Sequence, residues 1–442
     1  MAIISIAMLT VSLPAQAAAS TDTLHLTGLR FGEGALGPGY MHLNLLNNTA
    51  SSGAVCLDGT PAGFYFAPAT SKEHANDWQI YFEGGGWCYN EIDCWSRSFN
   101  ELGSSFGWAA TATIGGLLSS DCMLNPDFCG FNRVWLRYCD GNSFSGNRDA
   151  PVSVTGLDGG VKKLYFRGRR IIDESLKALA AHYGLGTARH VLLTGCSAGG
   201  LATYLHADYV HAQLRKLAPT MSKYKAAPIS GFFLQHATVD GRPVYATEMR
   251  QIFALANSTH GLNDACVAAQ PAGKEWLCNF AQHSYAYTTS DIFVLNSALD
   301  SWQIPCIYTS ELTPGYPQQT VRDNGSCGSK PLHWHSCAAD PEQCSPAQIG
   351  SMNKYISDFE GVMASAATYA KAGNGAFVHS CSTHCEAQSD AFFTFAIDNT
   401  TMQQAVSKWW NMDAAQPAAQ HSYRSCQYKT NASEAYQCNP TC

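Results

Sequence analysis

His190-Val191-Leu192-Leu193-Thr194-Gly195-Cys196-Ser197-Ala198-Gly199-Gly200 is the stretch whose reading decides the fold. Its first five residues are a short apolar run of the kind that forms a buried strand. Gly-x-Ser-x-Gly follows at once, and an apolar helical pattern continues from 201 to about 214. Alone, Gly-x-Ser-x-Gly is a weak pattern. Between a strand and a helix it describes a nucleophile elbow, a sharp turn that holds a serine at the top of a sheet. The glycines answer a crowding problem: the turn strains the serine backbone, and neighbours with side chains would collide. The plain alternative is a glycine-rich turn with a passive serine.

Similar short apolar runs, bounded by Gly, Asn or Asp, occur at 78–82, 134–138, 231–234, 292–295 and 376–379. They read as buried parallel strands. Helical patterns alternate with them, at 162–182 and 347–372. This alternation predicts an α/β-hydrolase-like three-layer fold with a mainly parallel central sheet. Stretches 84–130 and 305–346, rich in Cys and Gly, read as long loops pinned by disulfides. No linker divides the chain, so 20–442 is expected to form a single domain.

The chain has 442 residues, a net charge of −7 and 18 cysteines. The charge excludes a nucleic-acid surface. The small basic cluster at Lys162-Lys163 and 167–170 reads as a solvated helix face. Residues 1–19, apolar and ending around Ala15-Gln16-Ala17, read as a secretory signal peptide, although no Lys or Arg precedes Arg30. Sequons at Asn47, Asn257, Asn324, Asn399 and Asn431 agree with export. Leader, sequons and cysteines together imply an extracellular, oxidising compartment. No later segment is long and apolar enough for a membrane anchor.

Chemistry follows from the order of motifs. An oxyanion hole needs the N–H after the nucleophile, here Ala198, and donors from a glycine-rich loop after an earlier strand. Glu83-Gly84-Gly85-Gly86-Trp87-Cys88 supplies such a loop, with Gly85 and Gly86 as donors and Trp87 and Tyr89 as candidate pocket walls. The acid should follow a later strand. Asp300 lies just past the C-terminal end of the run starting at Asp291, where catalytic groups gather in open α/β sheets; Asp291 sits at the wrong end. The base should follow the last strand, which favours His384 in Ser380-Cys381-Ser382-Thr383-His384-Cys385 and leaves His379 within the strand as a structural residue. Zinc would accept His379, Cys381, His384 and Cys385, or His333, His335 and Cys337, but these spacings match no strong zinc pattern and paired cysteines fit the compartment better. Neither a metal nor another cofactor is expected.

With these residues in view, the chain resembles the pectin acetylesterase family, which includes the Notum-type carboxylesterases. The matching segments are Cys56-Leu57-Asp58-Gly59, Glu83 to Cys88, Asn125-Pro126-Asp127-Phe128, Arg137-Tyr138-Cys139-Asp140-Gly141, Leu164-Tyr165-Phe166-Arg167-Gly168, Gly195 to Gly200, Asn296 to Gln303 and Cys381-x-x-His384-Cys385. The resemblance implies a Ser197–Asp300–His384 esterase that needs no cofactor. The third glycine before Trp87 and the Cys196 beside the serine are similar to plant-type members. That favours an acetylated polysaccharide such as pectin over a fatty-acylated protein, the Notum-like alternative. A catalytically silent carbohydrate-binding protein on the same scaffold is the other rival. Where the family usually has Cys-Leu-Ser-Asp-Ala, this chain has Ala226-Ala227-Pro228-Ile229-Ser230, which puts a local disulfide in doubt. If Cys196 is buried and unpaired, an odd number of cysteines remains, and at least two free thiols are expected.

Overall fold

The strand that ends at the elbow is the centre of the sheet. The protein is seen in a computed structural model that describes residues 39–47, 49–310, 334–412, 415–424 and 439–442, all within one unit, Pro38–Cys442. The leader at 1–19, the sequons at Asn324 and Asn431, His333 and the loop 311–333 lie outside the described residues.

Ten strands build the main sheet: β1 Met41–Leu45, β2 Gly63–Ala67, β3 Asp77–Phe82, β4 Thr111–Ala112, β5 Asn132–Leu136, β8 His190–Cys196, β9 Lys223–Ile229, β10 Asp291–Ser297, β11 Gly375–His379 and β14 Ser422–Arg424. Two small hairpins, β6 Val152–Thr155 with β7 Val161–Leu164 and β12 Ala396–Ile397 with β13 Thr400–Thr401, complete the numbering. The order is β14-β11-β10-β9-β8-β3-β5-β2-β1-β4. From β14 to β5 every pairing is parallel, and β2, β1 and β4 add an antiparallel edge.

Alternation along the strands divides the core into two layers. Val191, Leu193, Ile292, Val294 and Val378 face one cluster; Leu192, Phe293, Leu295 and Phe377 face the other. Helices α1 Gly168–His182, α2 Ala198–Leu217 and α3 Pro346–Ser365 contribute Leu176, Leu201 and Phe359 to the first. Helix α4 Met402–Asn411 contributes Val406 and Trp409 to the second. This is the expected three-layer α/β architecture. Among the described residues, no helix is long and apolar enough to cross a membrane.

Four expectations are corrected. The strand foreseen at 231–234 is coil; the strand is β9, which ends at Ile229, and Ser230 then turns with φ 45°. Lys223 and Lys225 hid β9 from a reading based on apolar runs. The buried Lys225 ammonium is satisfied by the carbonyls of Trp409 at 2.7 Å and Met412 at 3.3 Å. The helix foreseen from 162 begins only at Gly168, because Val161–Leu164 pairs instead with Val152–Thr155. The basic cluster is therefore not one solvated helix face. Lys162 and Lys163 lie in β7, and Arg167 and Arg169 are buried, with the Arg169 guanidinium 3.5 Å from the Tyr209 ring centroid. Finally, the thiol expectation fails: Cys196 is bonded to Cys385, and the described residues include no free cysteine. A partner 189 residues away leaves no local signal in the sequence.

Candidate active site

Ser197 sits between β8 and α2 with φ 59° and ψ −127°, a conformation that L residues rarely adopt. The strain is permitted by glycine on every side. A Cβ on Gly199 would lie 2.0 Å from the Phe82 carbonyl oxygen; one on Gly84 would lie 2.3 Å from that of Cys196 and 2.7 Å from Ser197 Cβ. The glycine loop after β3 thus touches the elbow directly. Its carbonyls are pulled aside: Arg97 Nη2 donates to Gly85 O at 2.7 Å, and the Tyr138 hydroxyl donates to Gly86 O at 2.8 Å. Because a trans peptide points its N–H opposite its C=O, the Gly86 N–H faces away from Arg97. Ala198 is the first residue of α2, where helical N–H groups lack intrahelical acceptors and the dipole favours negative charge.

Asp300 follows β10 and is fully buried. Its Oδ1 accepts the N–H groups of Trp302 (2.9 Å) and Gln303 (3.0 Å), and its Oδ2 lies 2.7 Å from His384 Nδ1. His384 Nε2 has no hydrogen-bond partner among the described residues. Burial pulls the His384 imidazolium down, but the Asp300 carboxylate, through charge and hydrogen bond, and Glu386 outweigh it, so the pKa stands above the ordinary histidine value. Asp291 is at the other end of β10, 3.2 Å from Lys371. His379 is fully buried, with Nε2 2.9 Å from Glu386 Oε1.

Ser197, His384, Gly85 and Gly86 open onto one cleft of about 530 Å³, also walled by Tyr81, Glu83, Ile114, Trp135, Trp302 and Gln388. Trp87 and Tyr89, expected as pocket walls, are core residues instead. Both are buried, and Trp87 packs among Phe233, Tyr245 and Trp302 while its Nε1 donates to Ser143 Oγ at 2.8 Å. Trp302 takes the wall position. Its place two residues after Asp300, in the same turn, was the available signal.

The ligand atoms of Cys196, His384 and Cys385 fall within 4.8 Å of one another, but the two sulphurs are joined as a disulfide and offer no thiolate. Cys381 is likewise bonded, to Cys442.

Glu83 and Arg137 brace the glycine loop. The Arg137 guanidinium donates to Glu83 Oε1 at 2.7 Å, and the Tyr138 N–H donates to Oε2 at 2.7 Å. Burial nevertheless pushes the Glu83 carboxyl up to about 7. Arg137→Met would leave that carboxylate without its cation, and a loss of about 3–5 kcal/mol is expected. A raised carboxyl pKa means stability falls as pH rises through it. Thermal unfolding should therefore show a larger loss at pH 8 than at pH 5; equal losses would discount the ion pair.

The profile of the Pectinacetylesterase family matches residues 37–442. The chain belongs to this family. Pectin acetylesterase 4 of Arabidopsis thaliana is 31% identical over 370 residues, covering 83% of each chain. The human palmitoleoyl-protein carboxylesterase Notum is 30% identical over 273 residues, 60% of this chain and 52% of that one. Among solved structures, the Wnt deacylase Notum from Drosophila superposes with a TM-score of 0.67 at 21% identity, over 91% of this chain and 99% of that one. As a pectin acetylesterase family member, the protein is a carboxylic ester hydrolase with an α/β-hydrolase-like fold.

Proposed function

We propose that this protein is a secreted serine esterase that removes acetyl groups from a cell-wall polysaccharide such as pectin. One observation carries the reading. An imidazole held by a buried carboxylate at 2.7 Å keeps its other nitrogen unpaired among the described residues, and it lines the same cleft as a serine in a strained elbow. His384 takes the Ser197 hydroxyl proton as the oxygen attacks the acetyl carbonyl. The N–H groups of Ala198, Gly86 and Gly85 receive the oxyanion, at about 3 kcal/mol for one donor. His384 then protonates the departing sugar hydroxyl. Water, deprotonated by the same imidazole, releases acetate from Ser197. The acyl-enzyme needs no cofactor.

Acetyl preference is supported by what surrounds the imidazole. The Phe233 ring lies 6.2 Å and the Trp302 ring 6.4 Å from the His384 ring, and Trp87 and Tyr245 pack behind them. These rings crowd the His384 side of the site with aromatic surface. Export is supported by the apolar leader at 1–19, with 20–442 as the mature domain, and by the exposure of the sequon asparagines Asn47, Asn257 and Asn399.

The test is acetate release from acetylated pectin and acetylated xylan, beside p-nitrophenyl esters from C2 to C12. Pectin turnover with C2 as the preferred ester is the expected result. A peak at medium or long chains without acetate from pectin would replace it with a fatty-acyl esterase, and silence on every substrate with a binding protein.

A further inference from the structure

The Cys196–Cys385 disulfide joins the residue immediately before Ser197 to the residue immediately after His384. The segments that follow β8 and β11, strands that β9 and β10 separate in the sheet, are thereby tied at the point where nucleophile and imidazole must align. Both ends lie next to strained backbone: Ser197 has φ 59°, and Cys385 itself has φ 64°. Such conformations persist only where surrounding contacts impose them. At Cys385 the other restraint is polar. Its N–H donates to Ser230 Oγ at 3.0 Å, and the Ser230 hydroxyl donates to Glu386 Oε2 at 3.2 Å. The start of the histidine loop is held by Cys381–Cys442 and by Ser297 Oγ donating to Cys381 O at 2.6 Å. Asp300 fixes the rotation of the imidazole through Nδ1, but its grip does not determine how far the ring stands from Ser197.

We infer that the Cys196–Cys385 disulfide is a positioning cross-link that sets the distance between Ser197 and His384 and makes turnover sensitive to thiols. The inference rests on the Ser197–His384 pairing proposed above. Both cysteines line the cleft, and Cys385 is partly exposed, so a small dithiol can reach the bond. One thiolate of the dithiol attacks one sulphur, the S–S bond breaks, and the reagent's second thiol closes the mixed disulfide to the cyclic reagent disulfide. Cys196 and Cys385 gain two electrons and two protons as thiols, and the dithiol loses them.

The experiment compares Cys196→Ala/Cys385→Ala with Cys337→Ala/Cys344→Ala, which removes a disulfide joined to neither Ser197 nor His384. Misplacing a reacting group by about 1 Å costs about a hundredfold. The first variant should lose about ten- to a hundredfold in kcat with KM nearly unchanged, and fluorophosphonate should label Ser197 proportionately more slowly. The control should keep its kcat. If the first variant does not fold, brief dithiol treatment of the intact enzyme serves instead. Activity should fall in step with the thiols that peptide mapping finds at Cys196 and Cys385, and return on reoxidation. Full kcat with both sulphurs unbonded overturns the cross-link. Ser197→Ala separates the two failures: an inactive Ser197→Ala beside a fully active Cys196→Ala/Cys385→Ala sinks the cross-link alone, whereas an active Ser197→Ala sinks the pairing and the cross-link together.

Discussion

Ser197→Ala is expected to lower kcat on any acetyl ester by about a million-fold, the scale on which a serine hydrolase loses turnover with its nucleophile. In the proposed mechanism the hydroxyl is the atom that bonds to the acyl carbon. Tyr81 and Thr113 also bring hydroxyls to the cleft wall, but burial holds the Tyr81 phenol well above its ordinary pKa, and Thr113 follows β4, outside the strained strand–helix turn that holds Ser197. The substitution deletes one oxygen from a nearly buried side chain that caps no helix through its hydroxyl. Circular dichroism and thermal unfolding should therefore match the parent protein. Retention of more than a trace of turnover by purified Ser197→Ala, after contaminating esterase is excluded, would remove Ser197 from the reaction.

Asp300→Asn is the second large effect, and it differs in kind. The carboxylate accepts two backbone N–H groups and pairs with the imidazole, and its side chain is fully buried. An amide can keep the turn, but it presents no charge to the imidazolium that forms as Ser197 loses its proton. It also favours the wrong tautomer. A fall of about ten-thousandfold in kcat is expected. The pH profile supplies the sign. Asp300 helps hold the His384 pKa above the ordinary value, and the base acts when neutral, so parent activity should rise with pH through that raised pKa. Without the charge, burial dominates, and the acid limb should move to lower pH. An unmoved limb in the residual activity would mean that another group titrates.

Much of this was legible along the chain, and the reasons are local. A strand that runs into Gly-x-Ser-x-Gly and then into an apolar helix can satisfy its backbone and its crowding in few ways, so β8, Ser197 and α2 follow from neighbours. Asp300 and His384 could be placed because each follows a buried apolar run, and parallel strands deliver their C-terminal ends to one edge. The wall residue Trp302 and the core residue Trp87 could not be told apart in this way. Both indoles pack against Phe233 and Tyr245, and only the folded chain decides that Trp87 is enclosed while Trp302 stays partly exposed on the cleft.

Sequence alone therefore determined the elements whose causes lie within a few residues: apolar runs, the elbow glycines and the placement of Ser197, Asp300 and His384 after successive strands. Only the tertiary structure decided what depends on distant partners. Lys225 can sit in a central strand because carbonyls of Trp409 and Met412 meet its ammonium. Arg169 can be buried because the Tyr209 ring lies beneath it. Cys196 is bonded because the chain brings Cys385 to it across 189 residues. In each case the stabilising contact joins groups that the sequence keeps far apart, and only the folded backbone sets their distance.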